Sequence, residues 1–401
     1  MFSKGQTCTE QGRTTLTGAG YLTCDSSSKG LAWRKATPAE IRSYVDGVKK
    51  ETSFCFSWVT GTQTNYMTKH GVPKFTKAPV AVNQISSIVP MGAAASGPKV
   101  TPGAGTGAGA HNLPSDHASF AFPDREPVPA YAPASGLLVA VDFGTGRWLA
   151  ADGSRLDDYN LNLQYTANFF LKMTHMTALS PDLAEKVGKV KDGLNPVKIQ
   201  VKAGDLLGYF SGAPYLGTAD FMAIDYDAVS VAPPATRAIY GPCENHSVDP
   251  FQYFAEPLRS QLRAKLPDRP APAIGRYNYD GLGGLFGNWW AEKDLKDGRE
   301  VGIPRFGFFL KNDDPSTVMV GNLGTNTADV AVGPDPAKVK VGGAPVAYEL
   351  TNFSGGPDVA FETGMLLVQR LAIDQVRAEI FPNASRDTPL AFDSGAEIFY
   401  R

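Results

Sequence analysis

PAYAPASGLLVAV at 129–141, DDYNLNLQY at 157–165 and FFLKMTHMTAL at 169–179 alternate apolar and polar side chains. A period of two marks strands with one buried face. VKIQV at 197–201, VKAGDLLGYFSG at 201–212 and YLGTADFMAIDY at 215–226 continue the pattern, with Pro, Gly, Ser and Asp in the turns between. The middle third of the chain is therefore read as β. One short helix is expected inside it, at 180–189, SPDLAEKVGK.

On the N-terminal side, ATPAEIRSYVDGVKK at 36–50 reads as a short helix with Thr37 as cap and Pro38 in the first turn. Strand-like runs follow at 52–60 and 79–89. The Gly/Ala-rich stretch at 90–112 lacks the Gly-Lys-Ser/Thr ending of a phosphate loop and reads as a loop. On the C-terminal side, DPFQYFAEPLRSQLRAKL at 249–266 is the clearest amphipathic pattern, with Pro257 placed to kink or delay the helix. Beyond it GRYNYDG, LFGNWWAE, FGFFL, STVMVGN, GMLLVQRLA, QVRAEIFP and AEIFYR read as strands.

The 401 residues include 42 Gly and 30 Pro, which suits many short strands with frequent turns. Lys and Arg number 38 against 40 Asp and Glu, so no basic excess exists to neutralise phosphates and nucleic acid is not an expected partner. No run of 18 apolar residues occurs, so no membrane span is expected. Neither a nucleophile elbow nor a dinucleotide fingerprint is present.

Cys8 and Cys24 lie in a short segment rich in Gly, Thr and Ser that has almost no core of its own. A disulfide closing that loop would contribute about 3 kcal/mol; two unpaired surface thiols are the other reading. The disulfide reading places the protein outside the cytoplasm, in the extracellular space or at the cell surface. The segment also resembles a small Cys-containing module of secreted actinobacterial proteins. No apolar leader follows Met1, so a secreted chain would be seen here in mature or trimmed form. Cys55 and Cys243 are left open between pairing and ordinary buried thiols.

Four pieces, HNLPSDHASFAF (111–122), PAYAPASGLLVAV, the 157–179 segment and 201–226, follow an order that resembles the lysostaphin-type zinc endopeptidases. The resemblance covers about a quarter of the chain. It implies a duplicated-hybrid-motif β-sandwich over 111–235. The family's first motif supplies a His and an Asp to zinc, four residues apart. With His117 on that His, Ala121 occupies the Asp position; with His117 on the Asp, Leu113 occupies the His position. His111 and Asp116 lie close by and could substitute. His175 matches the histidine that assists the transition state. Asp220 falls on a ligand histidine and Thr218 on a catalytic one. Carboxylate can replace imidazole on zinc, but threonine cannot replace a histidine that handles a proton.

The chain has 5 histidines, and His111, His117 and His175 fall in this segment. A zinc site of His117, His175 and Asp220, with His111 or Asp116, is one reading; ordinary hydrogen bonds in a groove are the other. Asp157 and Asp158 follow a turn and are expected to be solvated. Trp289, Trp290 and Tyr279 would stack on sugar rings if exposed and form core if buried.

The expected protein is mainly β, with a few short helices. A disulfide-closed module (1–35) is followed by a helix, strands and loop (36–110), a lysostaphin-like sandwich (111–235), a helical connector (236–270) and a second β domain (271–401). The expected function is non-catalytic binding of a cell-wall glycan or peptide, or of another extracellular protein, by a degenerate peptidase-like groove. The alternatives are a zinc-dependent cell-wall peptide hydrolase with rearranged ligands and a subunit of an extracellular assembly.

Overall fold

The computed structural model describes residues 14–17, 20–27, 30–35, 37, 66–92, 117–122, 126–149, 153–210, 218–228, 246–266, 284–291, 305–310, 318–323, 326–354 and 363–400. The expected 36–50 helix except Thr37, the 52–60 strand, GRYNYDG, Cys8, Cys55, His111, Asp116, Cys243 and Tyr279 lie outside them. The fold is mostly β and divides into two compact units. The first takes its described residues from Met1–Ile85, Phe122–Ser230 and Pro242–Gln261; the second takes them from Ser86–Ala121, Val231–Gly241 and Leu262–Arg401.

Strands β1 (Thr14–Thr17), β2 (Gly20–Ser27) and β3 (Gly30–Lys35) make a three-stranded antiparallel sheet. Cys24 on β2 is fully buried and disulfide-bonded; its partner lies outside the described residues. Asp25 accepts from Arg34 Nε across the β2–β3 pair at 2.7 Å. Within 79–89 only β4 (Ser87–Val89) is a strand. Val82–Gln84 forms a 3-10 turn in which Gln84 N–H donates to Ala81 O, using a donor that a ladder would need. β4 pairs with β5 (Ala118–Ala121) in the second unit.

The first unit is built on β6 (Val128–Tyr131), β7 (Gly136–Leu149), β8 (Arg155–Gln164) and β9 (Phe169–Leu179). It continues with β10 (Gly193–Val201), β11 (Leu206–Phe210), β12 (Thr218–Asp225) and β13 (Ser247–Val248). Its main order is β10-β7-β8-β9-β12, all antiparallel. β9 is the branch point. One edge pairs with β8. The other pairs with β12 over Phe169–Thr174 and with β11 over Met176–Leu179, and β11 in turn pairs with β6.

Helix α1 (Pro181–Val187) follows its sequence signals closely. Ser180 Oγ accepts from Leu183 N–H at 3.2 Å, Pro181 fills the first position, Asp182 lies in the first turn and Gly188 ends the helix at φ 71°. The amphipathic 249–266 stretch is not one helix. Asp249 caps a 3-10 turn at Pro250–Tyr253, and α2 (Leu258–Arg263) begins only after Pro257. Proline has no N–H to donate and disfavours helical backbone in the residue before it, so it breaks the element there.

The second unit contains an eight-stranded closed barrel: β14 (Gly287–Trp290), β15 (Arg305–Leu310), β16 (Val318–Leu323), β17 (Asn326–Val332), β18 (Val346–Ser354), β19 (Gly364–Ala372), β20 (Gln375–Pro382) and β21 (Glu397–Tyr400). Each strand is antiparallel to the next, and Trp290 opposite Tyr400 closes the ring. Sequence alternation had not marked β17 or β18. Trp289, Phe306, Phe308, Tyr348 and Phe399 fill the interior with Val320, Leu350, Leu366 and Val368. A barrel of eight strands has an interior that side chains of this size can fill. Gly284, at φ +58°, approaches the Pro336 carbonyl so closely that a Cβ would collide with it; Leu285 N–H donates to the same carbonyl.

Candidate functional site

The branch in β9 creates the site. Between the pairs Tyr159–Met176 and Leu161–Met173, β9 carries one residue more than β8. On the other edge, β12 ends its pairing at Thr174 opposite Asp220, and β11 begins at Met176 opposite Phe210. His175 falls in the gap. It has φ 69°, a left-handed conformation that a histidine adopts only when its surroundings hold it there. Its N–H donates to the Asn160 side chain at 3.2 Å in place of a ladder partner. Such bulges re-aim a side chain.

The re-aimed ring lies between two carboxylates. His175 Nδ1 is 3.4 Å from Asp158 Oδ1, and Nε2 is 3.1 Å from Asp220 Oδ2. The Trp148 ring meets the imidazole edge-on, with centroids 5.1 Å apart. Asp158 is fully buried and also takes Arg147 Nη1 at 3.2 Å. Its neighbour Asp157 accepts the Gly146 N–H at 2.9 Å. The solvated pair expected from the turn before β8 is therefore corrected for Asp158. The β7–β8 arm folds over it, and alternation along β8 turns it to the polar face shared by Asn160, Asn162 and Gln164.

Burial opposes the charged form of His175, but hydrogen bonds to Asp158 and Asp220 and the charges of both raise it to about 9. Burial also pushes Asp158 up. The hydrogen bond and charge of His175 outweigh it, with Trp148 and Arg147 adding to them, and hold the carboxyl below the usual range. At neutral pH the ring is an imidazolium donating from both nitrogens.

The expected zinc ligands are only partly among the described residues. His175 and Asp220 meet, but as an ion pair. His117 precedes β5 and belongs to the second unit, and His111 and Asp116 are not among the described residues. Among the described residues no group of three or more His, Cys, Asp or Glu is placed to hold a metal ion. Of the expected ligands, the described residues bring together only His175 and Asp220, two where zinc needs three or four.

The sugar-stacking expectation for Trp289 and Trp290 is likewise corrected. Trp289 points into the barrel and donates Nε1–H to Leu285 O at 2.9 Å; Trp290, pointing the other way, is also fully buried. Their ring faces meet protein, so they are core.

A second polar cluster, with no spacing signal in the sequence, lies at the far end of β12. Asp225 accepts from Asn168 Nδ2 at 2.7 Å and from Asp227 N–H at 3.0 Å. Asp227 Oδ2 pairs with His70 Nδ1 at 3.0 Å. Burial is the main reason that Asp225 is pushed up to about 6; the Asp227 charge adds to it, while those hydrogen bonds and His246 oppose it. Its contacts tie the 66–76 segment to the sheet, for Gly71 N–H donates to Asn168 Oδ1 at 2.9 Å.

No family model and no curated protein matches the chain. Among 8 matching solved chains is the NMR solution structure of lysostaphin, 11% identical, covering 71% of this chain and 79% of that one. Its TM-score of 0.19 is too low for the likeness to carry an argument.

Proposed function

We propose that this is a non-catalytic binding protein of the extracellular space or cell surface, whose first unit holds a cell-wall glycan or peptide, or another extracellular protein, on the polar face around His175. The observation that carries this reading is the closed Asp158–His175–Asp220 row. A general base needs a ring nitrogen free to take a proton. Here each nitrogen faces a carboxylate, so the row supplies fixed charge and hydrogen-bonding groups instead of proton transfer. The disulfide at Cys24 supports an oxidising compartment.

The test is incubation of the purified chain with insoluble cell-wall material and with soluble glycan and peptide fragments of it. Binding is followed by co-sedimentation and calorimetry, and product release by mass spectrometry. Retention without release of fragments is expected. Release that stops on chelation would overturn the proposal in favour of a zinc hydrolase with rearranged ligands. Absence of binding to every fraction would overturn it as well.

A further inference from the structure

One buried side chain on the polar face of the first unit is left unmet. Asn162 on β8 is 2% exposed, and its Oδ1 has no hydrogen-bond partner. A buried acceptor without a donor costs free energy, and native proteins keep few of them except where water or a ligand supplies the bond. Its neighbours on the same face are not in this position. Asn160 Oδ1 accepts the His175 N–H, and Gln164 both accepts and donates.

Strand register sets what stands beside it. Asn162 lies opposite Ala140 on β7 and opposite Lys172 on β9, and Lys172 lies opposite Met222 on β12. Residues directly opposite one another share a face, with Cβ atoms about 4.5–5.5 Å apart. Ala140, Asn162, Lys172 and Met222 therefore form one row across the sheet. The row is buried at Ala140 and Asn162 and partly exposed at Lys172 and Met222, so it opens to water on the lysine side. The Lys172 ammonium has no ion-pair or hydrogen-bond partner among the described residues. Other charges of this face do not compete for it. Asp158 and Asp220 are held by His175, and Asp142, opposite Asn160, stands on the other side of β8.

An unmet acceptor beside an uncommitted cation is complementary to a donor beside an anion. The carboxyl terminus of a peptide carries that pair, for its last amide N–H and its carboxylate are separated by a single Cα. That spacing suits two opposed side chains, and the carboxylate bond is charge-assisted. A neutral glycan offers hydroxyls to Asn162 and no charge to Lys172. A carboxylate placed toward β7 would meet the like charge of Asp142, which directs the terminus to the lysine side. We infer that Asn162 and Lys172 bind the free carboxyl terminus of a peptide. Asn162 Oδ1 accepts the last amide N–H, and Lys172 Nζ pairs with the carboxylate. This rests on the reading of the face as a binding surface and names the ligand end that it takes.

The full chain is titrated with N-acetyl-alanyl-alanine and with the C-terminal amide of the same peptide, by calorimetry and by amide chemical-shift perturbation. The acid is expected to bind about tenfold more tightly than the amide, with an advantage that shrinks in salt. Lys172→Met brings the acid down to the amide's level. Asn162→Leu weakens both peptides about tenfold and melts no lower than the unaltered chain, because the replaced oxygen had no donor to lose. An asparagine with a merely structural role would lower the melting temperature instead. Equal binding of acid and amide, binding of neither, or acid binding untouched by Lys172→Met would overturn the inference. Cell-wall retention that survives alongside any of these results leaves the broader binding function standing and removes this site alone. Acid binding by a chain that no cell-wall fraction retains keeps the site and removes the broader function.

Discussion

Strands β8 and β15 are both shielded from water, yet they bury opposite chemistry. β15 turns Phe306 and Phe308 into the barrel and buries Phe309 as well. β8 buries Asp158, Asn160, Asn162 and Gln164, every second residue along one face, with Leu161 and Leu163 on the other. An apolar interior stabilises in proportion to the area removed from water. A polar file costs free energy wherever a donor or acceptor is unmet. Here Asn160 holds the His175 N–H, Gln164 accepts from Tyr66 N–H and donates to Thr166 O, and Asp158 holds His175 and Arg147. The barrel's interior is committed to holding itself together. The sheet's polar face holds placed charges where strand pairing is interrupted at His175.

The comparison breaks if the barrel tolerates loss of its central indole. Trp289→Ala removes the largest interior side chain and leaves the Leu285 carbonyl without its donor. The barrel should lose about 5 kcal/mol, read as faster amide hydrogen exchange in β14–β21 with little change in β7–β10. Equal losses in both units would mean that they do not unfold separately.

His175→Ala reverses the pattern. It leaves two carboxylates facing each other, the fully buried Asp158 keeping only the exposed Arg147 as its cation, and removing one partner of a buried ion pair costs about 3 kcal/mol. The loss should appear in exchange across β8, β9 and β12 and spare the barrel. A variant of unchanged stability would mean that the carboxylates are neutral and the ion pair is not formed.

The pH dependence should separate the units next. A ring raised from 6.5 to about 9 keeps its proton in the folded state where the unfolded chain has lost it. Its contribution is complete below pH 6.5 and disappears as pH rises through about 9, a loss of about 3 kcal/mol. Asp158 acts at the acid edge: its lowered pKa contributes stability above 3.8 that is lost as pH falls through the folded value. Unfolding from pH 6 to 10 should therefore weaken the first unit and leave the apolar barrel almost level. A flat alkaline limb in the first unit would remove the imidazolium.

Local signals made much of this architecture legible. Alternation marked β7, β8, β9 and β12, and the Ser-Pro-Asp start with its Gly stop marked α1. NTADVAV and VAYELTNFS escaped notice because small and polar residues dilute their period, and barrel closure is a pairing between strands over a hundred residues apart. His175 and Asp220 were legible as residues of interest. Their relation was not, because it depends on a one-residue register shift that no spacing along the chain encodes. Asp158 was misjudged for the same reason: a turn residue in sequence became a buried anion once the β7–β8 arm folded over it.

The finest cut is Asp220→Asn. The amide keeps the shape and can still accept from His175 Nε2–H, while Asp158 keeps one full charge against the ring. The cost should be only about 1–2 kcal/mol, but the imidazole should titrate well below 9, nearer its ordinary value, in proton NMR. The alkaline loss of stability should then begin about where the shifted titration does. This variant also separates the ion-pair role of Asp220 from a ligand role. An ion-pair partner, once neutralised, changes the His175 titration and leaves the metal content of the purified protein as it was. A zinc ligand would do the opposite, emptying a metal site while the ring, already deprotonated to bind, shows no titration near 9 even in the unaltered protein.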